Sequence, residues 1–357
     1  MSLLQESWRK ESGATILGES ALEYRLLGRT GVRVSSLCLG TMTFGNEADD
    51  IASRAIMDRC VDAGINFFDT ANVYNKGRTE EIVGRWLPSH RDRIVLATKA
   101  YFPVGEGPLQ RGASRRHLVR EAEASLRRLQ TDWLDIFYIH HWDSDTALEE
   151  SLGALDTLIQ QGKVLYGAVS NFSAWQTVKA ISVADRMGIP RPVAIQPMYN
   201  LLKRTAEIEI LPMAASEGLG VCPYSPIAAG LLTGKYADGA GGRIKESAMY
   251  AERYRDEQNH AVASAFAAHA REQGYAPSAL AVAWVASHPS VSSAIIGARS
   301  VEQLEETLGA ATIALSEADR EAITALSQSP PEATDRESMG TTLRQLDSGS
   351  HTGRPAR

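Results

Sequence analysis

From about Leu37 to Leu308, eight short runs rich in β-branched and aromatic residues alternate with eight longer amphipathic stretches, a pattern that few folds can satisfy. The short runs are Leu37–Leu39, Ile65–Asp69, Ile94–Thr98, Ile136–His140, Val164–Val169, Ala194–Pro197, Gly220–Tyr224 and Ser293–Ile296. The longer ones lie near Ile51–Ala63, Glu80–Trp86, Arg115–Leu129, Thr146–Gln160, Trp175–Met187, Ile208–Glu217, Ser278–Ser287 and Val301–Leu308. Strands that alternate with helices predict a parallel sheet. Eight such units predict an α/β fold closed on itself, a (β/α)8 or TIM barrel.

Punctuation residues support the boundaries. Ser114, Ser173 and Ser300 suit helix starts, and Gly64, Gly188 and Gly218 suit helix ends. Tyr24–Leu27 and Val32–Ser35, split by Gly28–Gly31, predict a hairpin ahead of the first barrel strand that caps one barrel end. The Gly-rich stretch Asp238–Gly242, with a charged helix through Gln273, reads as a mobile insertion after the seventh strand. The expected organisation is an N-terminal extension at 1–22, a barrel with extra helices at 23–328, and a weakly ordered tail at 329–357 that opens near Pro330-Pro331.

With 44% apolar and 22% charged residues, the chain can bury a large core. A formal net charge of −6 provides no broad cationic field for nucleic acid or anionic membrane, so neither is expected as a partner. Cys38, Cys60 and Cys222, odd in number and far apart, suit reduced thiols. The first twenty residues lack the apolar stretch of a secretory signal, and no segment approaches a membrane span, which makes the cytoplasm the expected location. A homo-oligomer is left open.

In a parallel barrel the active site forms where the C-terminal strand ends converge. Asp69 ends the second run, and Tyr74 follows it in the loop Thr70-Ala71-Asn72-Val73. Lys99 ends the third run and His140 the fourth. Each has an ordinary structural explanation alone: a turn cap, a solvated strand end, a satisfied imidazole. A metal site from His140, His141, Asp143 and Asp145 fits poorly, because neighbours on a strand point to opposite faces, and no metal is expected.

Taken in order, Asp-Thr-Ala-x-x-Tyr, Thr-Lys and Ile-His after strands two, three and four resemble the tetrad of the aldo-keto reductase family, in the branch of bacterial reductases and potassium-channel β subunits. The resemblance spans about Tyr24 to Thr324 and implies carbonyl reduction with NADPH. Tyr74 would be the general acid, Lys99 would lower its pKa, Asp69 would hold Lys99, and His140 would orient the substrate oxygen. The nicotinamide would lie against Gly40, Thr41, Met42 and Asp69, with Ser170, Asn171 and Gln196 on its carboxamide and Tyr224 stacked on the ring.

No Gly-x-Gly-x-x-Gly follows an early strand. The stretch Ser225–Lys235 ends like a Walker loop but has Ala229 and Tyr236 where that motif needs Gly and Ser/Thr. The resemblance instead assigns the pyrophosphate to Ser225, Pro226, Gly230, Leu232, Gly234 and Lys235. Gly297 and Arg299 would take the adenosine 2′-phosphate at a helix start, favouring NADPH over NADH, and Gln303 and Glu306 would reach the adenine side. Thr307 departs from the Asn frequent at its position in the family. Phe44, Tyr74, Tyr101, His140 and Trp142 are the expected substrate contacts, for a small carbonyl compound with an apolar or sugar-derived body. Two rivals are a redox-sensing NADPH-binding module with little turnover and a Schiff base on Lys99.

Overall fold

The computed structural model describes residues 22–236 and 241–334, so nearly all of the expected extension and most of the expected tail lie outside the described residues. A two-stranded antiparallel hairpin, β1 (Tyr24–Leu26) and β2 (Arg33–Ser35), comes first. Eight strands follow: β3 (Leu37–Gly40), β4 (Phe67–Asp69), β5 (Val95–Ala100), β6 (Leu134–Ile139), β7 (Val164–Ser170), β8 (Ala194–Gln196), β9 (Gly220–Val221) and β10 (Ala294–Ile296). They pair in parallel in the order β10-β3-β4-β5-β6-β7-β8-β9. Backbone bonds from Ser292 to Val221 and from Ile295 to Pro223, each 2.9 Å, join the two edges. The sheet is thereby closed as a (β/α)8 barrel.

Helices α1 (Asp50–Asp62), α2 (Arg78–Trp86), α3 (Arg115–Leu129), α4 (Leu148–Gln160), α5 (Ala174–Met187) and α6 (Ile210–Glu217) connect successive strands. After β9 come α7 (Arg243–Glu246), α8 (Ala248–Arg253), α9 (Glu257–Glu272) and α10 (Pro277–Ala286), and after β10 come α11 (Val301–Leu308) and α12 (Glu317–Thr324). Ser114, Ser173 and Ser300 cap α3, α5 and α11, each accepting a backbone N–H from three residues on. The single charged helix expected through Gln273 is three helices, because Ser247 and Asp256, both extended, start new ones. Among the described residues no helix is long and apolar enough to cross a membrane.

Strand alternation divides the core in two. One set, Cys38, Phe67, Ala97, Ile136, Tyr138, Ala168, Ala194, Cys222 and Ile295, clusters with Leu27 and Val34 of the hairpin region. Their alternate neighbours, including Leu39, Phe68, Leu96, Phe137, Val169, Ile195 and Ile296, belong to the larger core shared with the helices. The first set therefore fills the barrel interior, and the hairpin closes its lower end. All three cysteines are free and buried.

The hairpin turn comes very close to the barrel. Gly28 has φ +55, and a methyl group there would lie 2.7 Å from both Gly218 O and Gly220 N. Gly31 (φ +80) faces open space. Gly28→Ala is expected to cost about 1–3 kcal/mol through overpacking and backbone strain, and measurably more than Gly31→Ala, which carries the backbone term alone. Urea unfolding of the two variants measures the difference, and equal losses would mean that the plug is loosely seated.

Candidate active site

Period two carries the chemistry upward from the plug. Two residues beyond Phe67, Ala97, Tyr138, Ala168, Ala194 and Cys222 stand Asp69, Lys99, His140, Ser170, Gln196 and Tyr224. Side chains at i and i+2 share a strand face, so all six belong to the next inward layer, at the open C-terminal end of the barrel. The predicted tetrad meets there.

Lys99 is fully buried, and its Nζ donates to Asp69 Oδ2 at 2.5 Å and to Thr70 O at 2.8 Å. It lies 3.5 Å from Tyr74 OH. Gln196 Nε2 donates to the other oxygen of Asp69 at 2.9 Å. The ring of His140 stands edge-on to that of Tyr74, with centroids 6.2 Å apart. Burial pulls the Lys99 pKa down, but Asp69 and then Tyr74 more than offset this, so it ends above the usual lysine value and stays charged.

The Tyr74 phenol departs from the sequence-based expectation. Its pKa is raised, not lowered: burial is the strongest influence, Lys99 opposes it, and Asp69 raises it again. The ammonium cannot act as an isolated charge, since Asp69 neutralises it at contact distance. His140 is held well below the normal histidine value by burial and then by Lys99, and is therefore neutral. Its Nδ1 is buried with no hydrogen-bond partner among the described residues. An N–H there would be an orphaned donor, so the proton belongs on Nε2.

Three of the expected nicotinamide contacts, Ser170, Asn171 and Tyr224, form one network. Tyr224 OH donates to Asn171 Oδ1 at 2.8 Å, while Asn171 Nδ2 donates to His140 O at 3.0 Å and Ser170 Oγ at 3.2 Å. Asn171 sits at φ 56, in the left-handed region that Asn tolerates better than most residues. Thr41 bonds the Asp69 carbonyl through both its N–H and its hydroxyl, each at 3.0 Å, and Met42 is exposed.

Three cations gather farther along the rim. Glu47 pairs with Arg243 at 3.2 Å and with Arg299, and the pKa of Lys235 is lowered by burial and then by Arg299. Lys235 follows a loop whose backbone is left-handed at Ser225, Ala228, Ala229 and Gly230, within the expected pyrophosphate segment. Pro226, Leu232 and Gly234 are buried in it. Gln303 Oε1 accepts from Arg299 N at 3.1 Å, and Glu306 accepts from Ser278 Oγ at 3.2 Å. Gly297 is exposed beside them.

On the substrate side Tyr101 stacks on His141 with centroids 5.3 Å apart, and Trp142 packs edge-on against Phe172 and Trp175. Phe44 is a correction. Expected in the pocket, it is fully buried in the core that backs the barrel, and its backbone alone serves the site loops, the N–H donating to Thr41 O at 2.9 Å and the carbonyl accepting from Asn75 Nδ2 at 2.7 Å. Phe102, which the sequence reading did not single out, has its ring centroid 4.8 Å from that of His140. Asp143 is already committed, accepting from Ala113 N at 2.7 Å, Thr146 Oγ1 at 2.8 Å and Asp145 N at 3.0 Å.

Two features carried no readable signal in the sequence. Glu47, one carboxylate among many, bridges segments about 200 and 250 residues away in the chain. In α8, Tyr250 and Arg253 are close enough to influence Tyr74 and Tyr224 respectively, and the fully buried Tyr254 just after it accepts from Asn200 Nδ2 at 3.2 Å. Residues 238–240 of the expected mobile insertion lie outside the described residues, and its described part, from 241 on, packs onto the site wall.

A barrel with this layer of groups at its mouth defines a class, and comparison with known proteins agrees with it. The sequence profile described as "Aldo/keto reductase family" matches residues 36–328. The uncharacterized oxidoreductase YrpG of Bacillus subtilis is 43% identical over 306 residues, covering 82% of this chain and 92% of the relative. A probable voltage-gated potassium channel subunit beta of Oryza sativa subsp. japonica is 40% identical over 302 residues, covering 81% and 91%. A putative subunit of the same kind from Schizosaccharomyces pombe is 34% identical over 312 residues, covering 84% and 91%. The chain belongs to the aldo/keto reductase family.

His140 ties stability to pH. Its folded pKa lies below the unfolded value near 6.5, so its contribution is complete above that pH and is lost as pH falls toward the folded value. His140→Gln should flatten the decline of unfolding free energy below pH 6.5, removing up to about 1.4 kcal/mol per pH unit, the limit for one proton. Urea titrations at pH 7, 6 and 5 test this; an unchanged slope would place the acid sensitivity elsewhere.

Proposed function

We propose that the chain is an NADPH-dependent reductase that converts an aldehyde or ketone to an alcohol, with Tyr74 as the proton donor. The observation that carries this reading is a neutral phenol 3.5 Å from a buried, charged ammonium, beside a neutral imidazole, at the open end of the barrel.

Bound NADPH would supply the hydride. The residues at the mouth fit such a group: Lys235, Arg243 and Arg299 outnumber Glu47 and Glu246 beside them, which suits phosphates, and Gln196 Oε1 makes no hydrogen bond to a described residue, which suits a carboxamide. Ser170 and Asn171 would assist at that carboxamide, and Tyr224 would carry the ring.

His140 donates from Nε2 to the substrate oxygen and fixes its direction. As negative charge builds on that oxygen it becomes far more basic than a phenolate, so Tyr74 can protonate it although its own pKa is raised. The phenolate left behind is stabilised by Lys99, whose charge is secured by Asp69. Lys99 is thus more valuable after proton transfer than before it. Its double engagement with Asp69 and Thr70 also disfavours a Schiff base, which requires a free amine. Tyr101, Phe102, His141 and Trp142 present aromatic surface for the body of the substrate.

Tyr74→Phe should retain cofactor affinity and lose about 10²–10⁴-fold in turnover. Fluorescence titration with NADPH and steady-state assays over an aldehyde panel check both parts; a Phe variant that turns over normally removes Tyr74 from the chemistry. Wild-type protein that binds NADPH but consumes none with any aldehyde would favour the redox-sensing module. Arg299→Ala should weaken NADPH by about tenfold or more while changing NADH little, the scale of one lost charged contact to phosphate. Equal losses for both would contradict the 2′-phosphate assignment.

A further inference from the structure

Immediately after Tyr74 the backbone enters the left-handed region and stays there for three residues, Asn75 (φ 46), Lys76 (φ 56) and Gly77 (φ 90). A side-chain-bearing residue there is uncommon, and two in a row next to a candidate proton donor need an explanation. The Asn75 carboxamide provides one. Its Nδ2 donates to Phe44 O at 2.7 Å, with Thr79 Oγ1 at 3.2 Å and Met42 O at 3.3 Å also within reach. Thr79 Oγ1 donates to the same Phe44 carbonyl at 2.9 Å. The chain just beyond the phenol is thus fastened to the loop that follows β3.

The near side of Tyr74 is fastened independently. Asn72 N donates to Lys99 O at 3.1 Å, and Asn72 Nδ2 donates at 3.0 Å to the buried Glu121 of α3. Tyr74 N donates to Ala71 O at 3.1 Å. Between these anchors the phenol oxygen is 3.5 Å from Lys99 Nζ, at the outer limit of a hydrogen bond, where a small displacement decides whether the two groups remain coupled. The charged or titratable groups that act on the phenol are Lys99, Asp69 and Tyr250, the Tyr224 phenol is coupled to it, and the neutral His140 ring stands edge-on to it.

We propose that Asn75 is a positioning residue: its carboxamide, seated on the Phe44 and Met42 carbonyls, holds Tyr74 at the distance from Lys99 that proton donation requires. This rests on the reading of Tyr74 as the proton donor. The competing explanation is that Asn is present only because it tolerates a left-handed turn. Asn75→Gly separates the two, since glycine adopts that turn at least as readily and removes only the side-chain bonds.

The experiment places 3-fluorotyrosine at Tyr74 in the full-length protein with and without Asn75→Gly. It follows the ¹⁹F resonance against pH, and kcat is measured with unlabelled proteins. Positioning predicts a titration midpoint moved upward, away from the influence of Lys99, and kcat lowered about 10–100-fold, the scale of a misplacement near 1 Å, with NADPH affinity unchanged. Thr79→Val, which removes one partner of the carboxamide and leaves Asn75 in place, should move the midpoint the same way by less. It supplies the test if Asn75→Gly does not fold.

If the midpoint and kcat of the folded variants match wild type, the proposal is overturned. A shifted midpoint in a protein that reduces no carbonyl would leave the positioning intact and overturn only the proton-donor reading, because the fluorine signal does not depend on turnover.

Discussion

A single ion pair organises the top of this barrel. Lys99 is sealed from water and neutralised by Asp69, whose second oxygen is occupied by Gln196, so strands β4, β5 and β8 are cross-linked through one carboxylate. A charge buried this way costs several kcal/mol unless it is paired, and removing one partner of such a pair typically costs about 3–5 kcal/mol. The phenol and imidazole beside it take their protonation states first from burial and then from this pair. Both are neutral, by different balances: at Tyr74 burial outweighs the opposing pull of Lys99, whereas at His140 burial and Lys99 act in the same direction.

Much of this was legible in the sequence because period two is a strong signal. Eight runs gave eight strands, and the hairpin around Gly28 was found where its turn residues indicated. Asp69, Lys99, His140, Ser170, Gln196 and Tyr224 each stand one alternation above residues that plug the interior, so finding a strand's inward face also finds what it presents at the barrel mouth; Tyr74, in a loop, carries no such period. Serine caps fixed three helix starts for an equally local reason.

What the sequence concealed depends on contacts between distant segments. Phe44 follows a strand end and is aromatic, which fits a pocket wall and a core residue equally well; only packing decides, and it is core. The direction of the Tyr74 shift needed its burial and the contact of Lys99 with Asp69, since the ammonium still lowers the phenol's pKa but burial and the carboxylate together outweigh it. The stretch after β9 looked loose because glycines dominate its start. Its attachment comes from Arg243 to Glu47 and from Tyr254 to Asn200, neither of which has a local pattern.

The hairpin below the barrel has a consequence for traffic. With Leu27 and Val34 packed into the lower opening beneath a solid layer of side chains, the barrel is a pit with one doorway. Arrivals and departures must share the upper rim, and a molecule lying against the floor cannot leave while another lies above it.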